Sequence, residues 1–254
     1  MMDNEIFNDL EEALSILYNG LDDLNIKITK NQEKQLIRYY EMLVEKNKVM
    51  NLTSITEIKE AVVKHFLDSL ALVKIISSDY LKKQIKVIDI GTGAGFPGIP
   101  LKIVFPEIDV TLLDSLNKRL VFLNEVIEDI GLHNIETVHG RSEDIARDCE
   151  HREKYDLCVS RAVANLSSLS ELCIPFVKRE GYFVSYKAGD SADEISEAGY
   201  AIEKLGGKVE NIVEFTIPNT NLNRVFVKIK KEKETPKAYP RKAGTPIKLP
   251  LRKN

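Results

Sequence analysis

Val87-Ile88-Asp89-Ile90-Gly91-Thr92-Gly93-Ala94-Gly95-Phe96-Pro97-Gly98 is an apolar run that ends in an acid and gives way to a glycine cluster. An apolar helix pattern follows in Ile99-Pro100-Leu101-Lys102-Ile103-Val104. The succession reads as a strand, a tight loop and a helix N-terminus. Glycine carries no Cβ, so its backbone can come close to a ligand. The start of a helix adds unpaired N–H groups and a positive dipole end. Asp89 falls at the C-terminal edge of the strand, where ligands bind in open α/β sheets. The stretch therefore predicts a site for a nucleotide-like cofactor.

Two cofactor classes fit the loop. Gly93-Ala94-Gly95-Phe96-Pro97-Gly98 matches the G-x-G-x-x-G dinucleotide fingerprint. The alternative begins at Asp89-Ile90-Gly91-Thr92-Gly93. S-adenosylmethionine has no phosphate, and its methionine end carries an ammonium that suits a carboxylate directly or through water. A pyrophosphate would be repelled by the same charge. Asp89 thus favours the methyl donor over a nicotinamide dinucleotide. The next strand pattern, Asp109 to Asp114, again ends in acid, 25 positions after Asp89. Asp114 is placed to accept hydrogen bonds from ribose hydroxyls. It, or Ser115, can equally cap a helix from Leu116 to Ile130.

The chain has 254 residues, 43% hydrophobic and 30% charged, with no Trp. That is ordinary for one large α/β domain. No apolar run approaches the ~20 residues of a membrane span, and the acidic start Met1-Met2-Asp3-Asn4-Glu5 is unlike a secretory signal. Cys149, Cys158 and Cys173 lack metal-ligand spacing and read as reduced thiols, Cys158 within a strand. The expectation is a cytoplasmic protein without a metal. Net charge is −3, but residues 224–254 alone carry 11 Lys+Arg and 2 Asp+Glu. An acidic body with a basic end suggests a polyanion partner; a solvated, irregular tail from Glu232 is the other reading.

Helical periodicity comes first: Ile6–Tyr18, a helix capped by Thr29, and one capped by Thr56. The polar segment Lys46–Thr53 joins the last two. Strands are then predicted at Ile85–Ile90, Val110–Leu113, Asn134–Val138, Leu157–Ser160, Tyr182–Tyr186, Lys208–Phe215 and Asn223–Ile229. Alternating βαβ units imply a parallel sheet covered on both faces. The gap between the last two strands is too short for a parallel crossover, so the final strand is expected to be antiparallel. Seven strands in this arrangement resemble the class I S-adenosylmethionine-dependent methyltransferases, a Rossmann-like α/β fold, here with an N-terminal helical extension. The expected division is helices over residues 1–80, a methyltransferase domain over 81–231 and a basic segment over 232–254, all one structural unit.

Further candidates lie beyond the strand ends. His139-Gly140-Arg141-Ser142-Glu143-Asp144 falls where adenine sits in doubly wound folds, although Ser142 as an N-cap explains the same residues. Tyr155–Ser160 leads into Arg161-Ala162-Val163-Ala164. It lacks the Asn/Asp-Pro-Pro-aromatic tetrad that grips an exocyclic amine, and the Pro-Cys pair that attacks pyrimidine C6. Arg161 stands there instead, suited to a carboxylate, a phosphate or the O6 and N7 acceptors of guanine. His65 and Asp68 share a helix face and read as a hydrogen-bonded structural pair. Lys187 ends a strand at the same sheet edge.

Together these segments resemble the bacterial ribosomal RNA small subunit methyltransferase G family, also called glucose-inhibited division protein B. The resemblance rests on Asn51-Leu52-Thr53, His65 to Leu70, Asp89 to Pro97, His139 to Asp144, Ser160 to Ala164 and Tyr239 to Pro246, and spans nearly the whole chain. Ser142 departs from the family's more usual Ala, and Gly98 from a small polar residue, a change expected to bear on the start of the helix only. The resemblance implies methyl transfer from S-adenosylmethionine to N7 of a guanine in 16S rRNA, in an assembling or assembled small subunit, by a monomer. It implies cofactor contacts at Gly91, Phe96, Ser142, Glu143 and Arg161; the reading of the residues adds Asp89, Gly93 and Asp114. Arg161 and Lys187 are the catalytic candidates. Lys46, Lys48, Arg161, Lys187, Arg241 and Lys242 are candidates for the RNA phosphates. An oxidoreductase and a catalytically silent, cofactor-sensing RNA-binding module are the rival functions.

Overall fold

Alternation of side chains along each strand sorts the core into two layers. Val87, Leu112, Leu157, Val159, Val184 and Phe226 face one layer, and Ile88, Leu113, Cys158, Phe183, Val227 and Ile229 the other. The computed structural model describes residues 2–161, 164–189, 191–218 and 220–253. It contains seven strands: β1 Lys86–Ile90, β2 Asp109–Asp114, β3 Ile135–His139, β4 Tyr155–Ser160, β5 Val177–Ala188, β6 Gly207–Thr216 and β7 Asn223–Lys231. Their order is β3-β2-β1-β4-β5-β7-β6. β1 to β5 run parallel, and β7 inserts between β5 and β6, antiparallel to both. The expected seven-stranded α/β sheet with an antiparallel last strand is present.

The chain leaves β1 towards β2 on one side and reaches β4 on the other. Asp89 pairs in register with Leu112 and Val159 across that divide. This is the topological switch point, where a crevice opens at the C-terminal edge of an α/β sheet.

The N-terminal helices are fused to this edge. Met2–Asp23 and Lys30–Met50 bury Leu17, Leu21, Leu36, Tyr39 and Leu43 in the first core layer. Thr29 caps its helix as predicted, and with Gln32 it forms a reciprocal capping box. Gln32 donates to the carbonyls of Ile103 and Val104, and Tyr39 Oη donates to Ala94 O in the glycine loop at 2.5 Å. Helix Lys30–Met50 thus braces the loop through Tyr39.

Three local expectations change. Helix Lys30–Met50 runs through Lys46 and Lys48 and ends at Asn51 with φ 44°, so that part of the predicted connector is helical. Asn47 Oδ1 accepts the amides of Leu52 and Thr53, which turns the chain. The next helix starts at Ile58 after Glu57 without a side-chain cap, because the carbonyl of Thr56 is held by Tyr40 Oη instead. The C-terminal segment is irregular for most of its length, as expected, but it is packed rather than solvated. Thr245–Lys248 is helical, Arg241 makes a bidentate pair with Glu171, and Ser168 Oγ donates to Pro246 O. Glu171 is completely buried in helix Leu166–Cys173, and Arg241 satisfies it with both its guanidinium and its backbone amide. Its presence orders the tail.

Candidate active site

The glycine loop takes its shape from hydrogen bonds to β2. The amides of Gly91 and Thr92 donate to Leu113 O at 2.9 and 3.1 Å, and those of Gly95 and Phe96 to Thr92 O. Gly91, Gly93 and Gly95 have φ of 71°, 62° and 109°, which side chains disfavour. A Cβ on Gly93 would meet nothing closer than Gly91 O at 4.0 Å, so that face is open. A Cβ on Gly95 would press on Ile99, Tyr39 and Leu123, so that glycine serves packing.

Asp89 is fully buried at the base of the loop. Its Oδ2 accepts from Thr92 Oγ1 at 2.7 Å and from the Gly98 amide at 2.9 Å. Its Oδ1 is buried with no partner among the described residues. Burial pushes the carboxyl up to about 6, against the opposing hydrogen bonds from Thr92 and Gly98. Gly98 does more than start the helix Gly98–Val104: its amide holds Asp89, and a Cβ there would overlap Leu112 Cδ2 and lie 3.0 Å from Asp89 Oδ2. The expectation that Gly98 bears on helix initiation alone is corrected on this point.

Asp114 is buried and holds both sides of the loop. Oδ2 accepts the Gly93 amide at 3.0 Å and Arg119 Nη1 at 3.2 Å, and Oδ1 accepts the Leu116 amide at 2.9 Å. The helix after β2 begins at Asn117, so Asp114 shapes the turn before it rather than capping from Leu116. Phe96 is buried with its ring stacked on His65, centroids 4.2 Å apart, and 5.3 Å from the Tyr39 ring. Arg141, not Ser142, is the N-cap of helix Ser142–Ile145; Ser142 Oγ donates to Leu172 O. Glu143 Oε1 accepts the Gly244 amide at 2.7 Å, which ties the loop after β3 to the C-terminal segment. The side chains of Phe96, Ser142 and Glu143 are therefore engaged inside the protein. Helix geometry leaves the first-turn amides of Ser142 and Glu143 as the donors for a ligand edge.

Arg161 stands at the end of β4, against a helix whose Val62–Leu67 turn is a π-helix. Such insertions re-aim side chains and concentrate at functional sites. Arg161 Nη1 donates to Lys64 O at 2.9 Å and Asp68 Oδ2 at 3.0 Å, and Nη2 lies 3.3 Å from His65 Nδ1. A guanidinium only donates, so Nδ1 accepts and His65 donates through Nε2 to Thr53 Oγ1 at 3.0 Å. Burial, with the Arg161 charge, pulls His65 down to about 4 and keeps it neutral. Among the described residues no side-chain hydrogen bond joins His65 to Asp68, whose backbone amide donates to His65 O; each side chain meets Arg161 instead, which replaces the expected structural pair.

Lys187 Nζ donates to Ala164 O at 2.6 Å and pairs with Glu194 at 2.7 Å, its side chain only 9% exposed. It is held against the loop that follows Arg161. Ala162 and Val163 of that loop lie outside the described residues. Arg161, His65, Asp68, Lys187, Tyr186 and Arg224 line one cleft of about 620 Å³ at this sheet edge. Of the other basic candidates, Lys46 pairs with Glu125 and Lys48 with Glu45, both on the helix surface. Arg241 is committed to Glu171, while Lys242 is exposed. Arg224 was not among the expected site residues. It sits in a strand and matches no motif; its one signal is that it opens the basic stretch.

The model for rRNA small subunit methyltransferase G matches residues 32–223. Proteins named ribosomal RNA small subunit methyltransferase G from Lachnoclostridium phytofermentans and Desulforamulus reducens are 53% and 52% identical to this chain. These alignments cover 93% and 96% of this chain and 97% and 99% of theirs. The chain belongs to the rRNA small subunit methyltransferase G family. A Clostridium botulinum protein of the same name is 49% identical over 95% of this chain and all of its own length. Among solved structures, MtNAS in complex with MTA and tNA shares the fold with a TM-score of 0.52 at 16% identity, covering 79% of this chain and 71% of that one. Membership of methyltransferase G removes the nicotinamide reading of the glycine loop. Among the described residues no helix is long and apolar enough to cross a membrane, and no group of His, Cys, Asp and Glu could hold a metal ion.

Proposed function

We propose that this protein transfers a methyl group from S-adenosylmethionine to N7 of a guanine in 16S rRNA of the bacterial small ribosomal subunit, acting as a monomer in the cytoplasm. Family membership supports the reaction. The buried Oδ1 of Asp89, at the base of the glycine loop and without a partner among the described residues, is the single observation that carries the cofactor. A buried carboxylate oxygen without a donor is costly unless a ligand supplies one, and an ammonium fits it.

The donor supplies a methyl group made electrophilic by its sulfonium. Asp89 would orient the ammonium end, and Gly91 and Gly93 would admit it close to the backbone. Asp114 keeps Gly93 in place and has acceptor capacity for ribose hydroxyls. The first-turn amides of Ser142 and Glu143 would meet the adenine edge. Guanine N7 carries a lone pair and no proton, so no general base is required, in keeping with a neutral His65 whose two nitrogens are both engaged. Catalysis then comes chiefly from holding N7 in line with the methyl group. Arg161 is the residue for the guanine acceptor edge. Lys187, its charge paired with Glu194, holds the Arg161 loop through Ala164 O. A-form RNA hides N7 in its deep, narrow groove, so the base must be unpaired or splayed out.

Incubation with radiolabelled methyl donor and unmethylated small subunits tests the proposal. Label in 16S rRNA is expected. Calorimetric donor binding with no label in rRNA would instead favour the silent, cofactor-sensing module.

A further inference from the structure

Three separate elements converge on one carboxylate at the cleft floor. Asp68 comes from the helix after the π-turn, Arg161 from the end of β4 and Arg224 from the start of β7. β7 runs antiparallel, with Arg224 opposite Ala188, so its first residues lie at the same sheet edge as the last residues of β5. Asp68 is 3% exposed and spends one oxygen on each arginine: Oδ2 on Arg161 Nη1 at 3.0 Å and Oδ1 on Arg224 Nε at 2.8 Å. The two guanidinium side chains remain 23% and 18% exposed.

One carboxylate cannot neutralise two guanidinium groups. The fork keeps one net positive charge inside a cleft of about 620 Å³, within the usual range for ligand sites. Lys187 and Lys64 add two cations at the same cleft, balanced by Glu194 and Glu60. Among the described residues that line the cleft, the surplus therefore resides on the Arg161–Arg224 pair. Guanidinium groups are suited to planar acceptor edges and to phosphate oxygens. A surface pair built only for stability would need one cation for one acid; the second cation is unexplained by folding alone.

We infer that Asp68 is the positioning residue of the substrate cleft, and that Arg224 is a second guanine-nucleotide contact set beside Arg161 by the same carboxylate. The inference rests on the proposed methyl transfer to rRNA and names how that site grips the nucleotide. Arg161 meets the acceptor edge of the base, and Arg224 meets the phosphodiester next to it. Asp68 touches neither; it fixes the spacing of the two.

The test compares wild type with Asp68→Asn, Arg224→Ala, Arg224→Lys and the double variant Asp68→Asn/Arg224→Ala, using unmethylated small subunits as substrate. Wild-type transfer must be seen first; if there is none, the functional proposal fails and this inference with it. With wild type active, Asp68→Asn and Arg224→Ala should each raise KM for the subunit tenfold or more. Donor affinity by calorimetry should stay within twofold. Arg224→Lys should recover part of the loss, because it restores charge without the fork. The double variant should be no more than twofold worse than the worse single one, since both act through one network. Wild-type KM in Arg224→Ala, or strictly multiplicative losses in the double variant, would overturn the inference. So would Asp68→Asn melting below the assay temperature while Arg224→Ala keeps wild-type kinetics, which would assign Asp68 to the fold alone.

Discussion

Asp89 carries opposite obligations in folding and in binding. Its carboxyl is fully buried and raised to about 6, whereas an unfolded aspartate ionises near 3.9. Between those values the folded state holds a proton that the unfolded state has lost. Stability from this group therefore falls as pH rises through that window, by on the order of 2–3 kcal/mol, and stays level above it. Asp89→Asn has no such titration. Urea unfolding from pH 4 to 8 should show the variant gaining on wild type up to about pH 6 and not beyond; parallel curves would contradict the buried-charge account. The same variant should bind the methyl donor about tenfold more weakly or worse, through loss of the ammonium partner. Arg161→Ala should keep most donor affinity yet lose methyl transfer by about 10²-fold or more, the scale of removing one aligned electrostatic contact. Full activity in single-turnover assays would remove Arg161 from the reacting atoms. The place of Asp89 at the buried end of β1 was legible because it closes an apolar run just before the glycine cluster. Asp68 and Arg224 were not, because their meaning lies in a contact across 156 positions.

The glycine loop behaves as one element with a division of labour that spacing alone cannot reveal. Gly93 opens towards a ligand, Gly95 makes room for Tyr39 and Leu123, and Gly98 lets Asp89 and Leu112 close on the helix start. Gly98→Ala should therefore lower the unfolding free energy by about 1–3 kcal/mol, the usual cost of overpacking, and weaken donor binding because the Asp89 acceptor is displaced. Thermal melting and calorimetry on the same preparation check both halves. A variant with normal stability would mean that the loop yields without strain. Most strands were legible to within two residues, since buried parallel strands are near-continuous apolar runs bounded by turns; β5 was not, because it starts at Val177, five residues before the predicted Tyr182, and its first part carries the charged Lys178, Arg179 and Glu180. Caps were less so. Ser142 and Thr56 had suitable side chains, but the carbonyl of Leu172 engages the first and Tyr40 pins the backbone beside the second. Tertiary partners decided both.

Across the whole molecule, the C-terminal segment links the two ends of the site. Glu143, in the loop after β3, accepts the Gly244 amide, and Arg241 satisfies the buried Glu171 of the helix that follows Arg161. Arg241→Ala would leave a buried carboxylate unpaired, and a loss of about 3 kcal/mol or more is expected. Chemical denaturation would measure it, and a change under about 1 kcal/mol would show the tail to be dispensable. The excess of basic residues from Arg224 onward was visible in the sequence, but not that Arg224 and Arg241 reach buried acids far away in the chain while Arg252 stays exposed; charge counts carry no partners. If exposed cations such as Lys242 meet RNA phosphates, as proposed, RNA affinity should fall steeply with salt. The most direct measurement is to map the methylated base after reaction of wild-type protein and Arg161→Ala with unmethylated small subunits, by cleavage at N7-methylguanine and primer extension. A single 16S rRNA guanine modified at N7 by wild type and not by the variant is the predicted result. Methyl groups on another atom, or on no rRNA base at all despite bound donor, would contradict it.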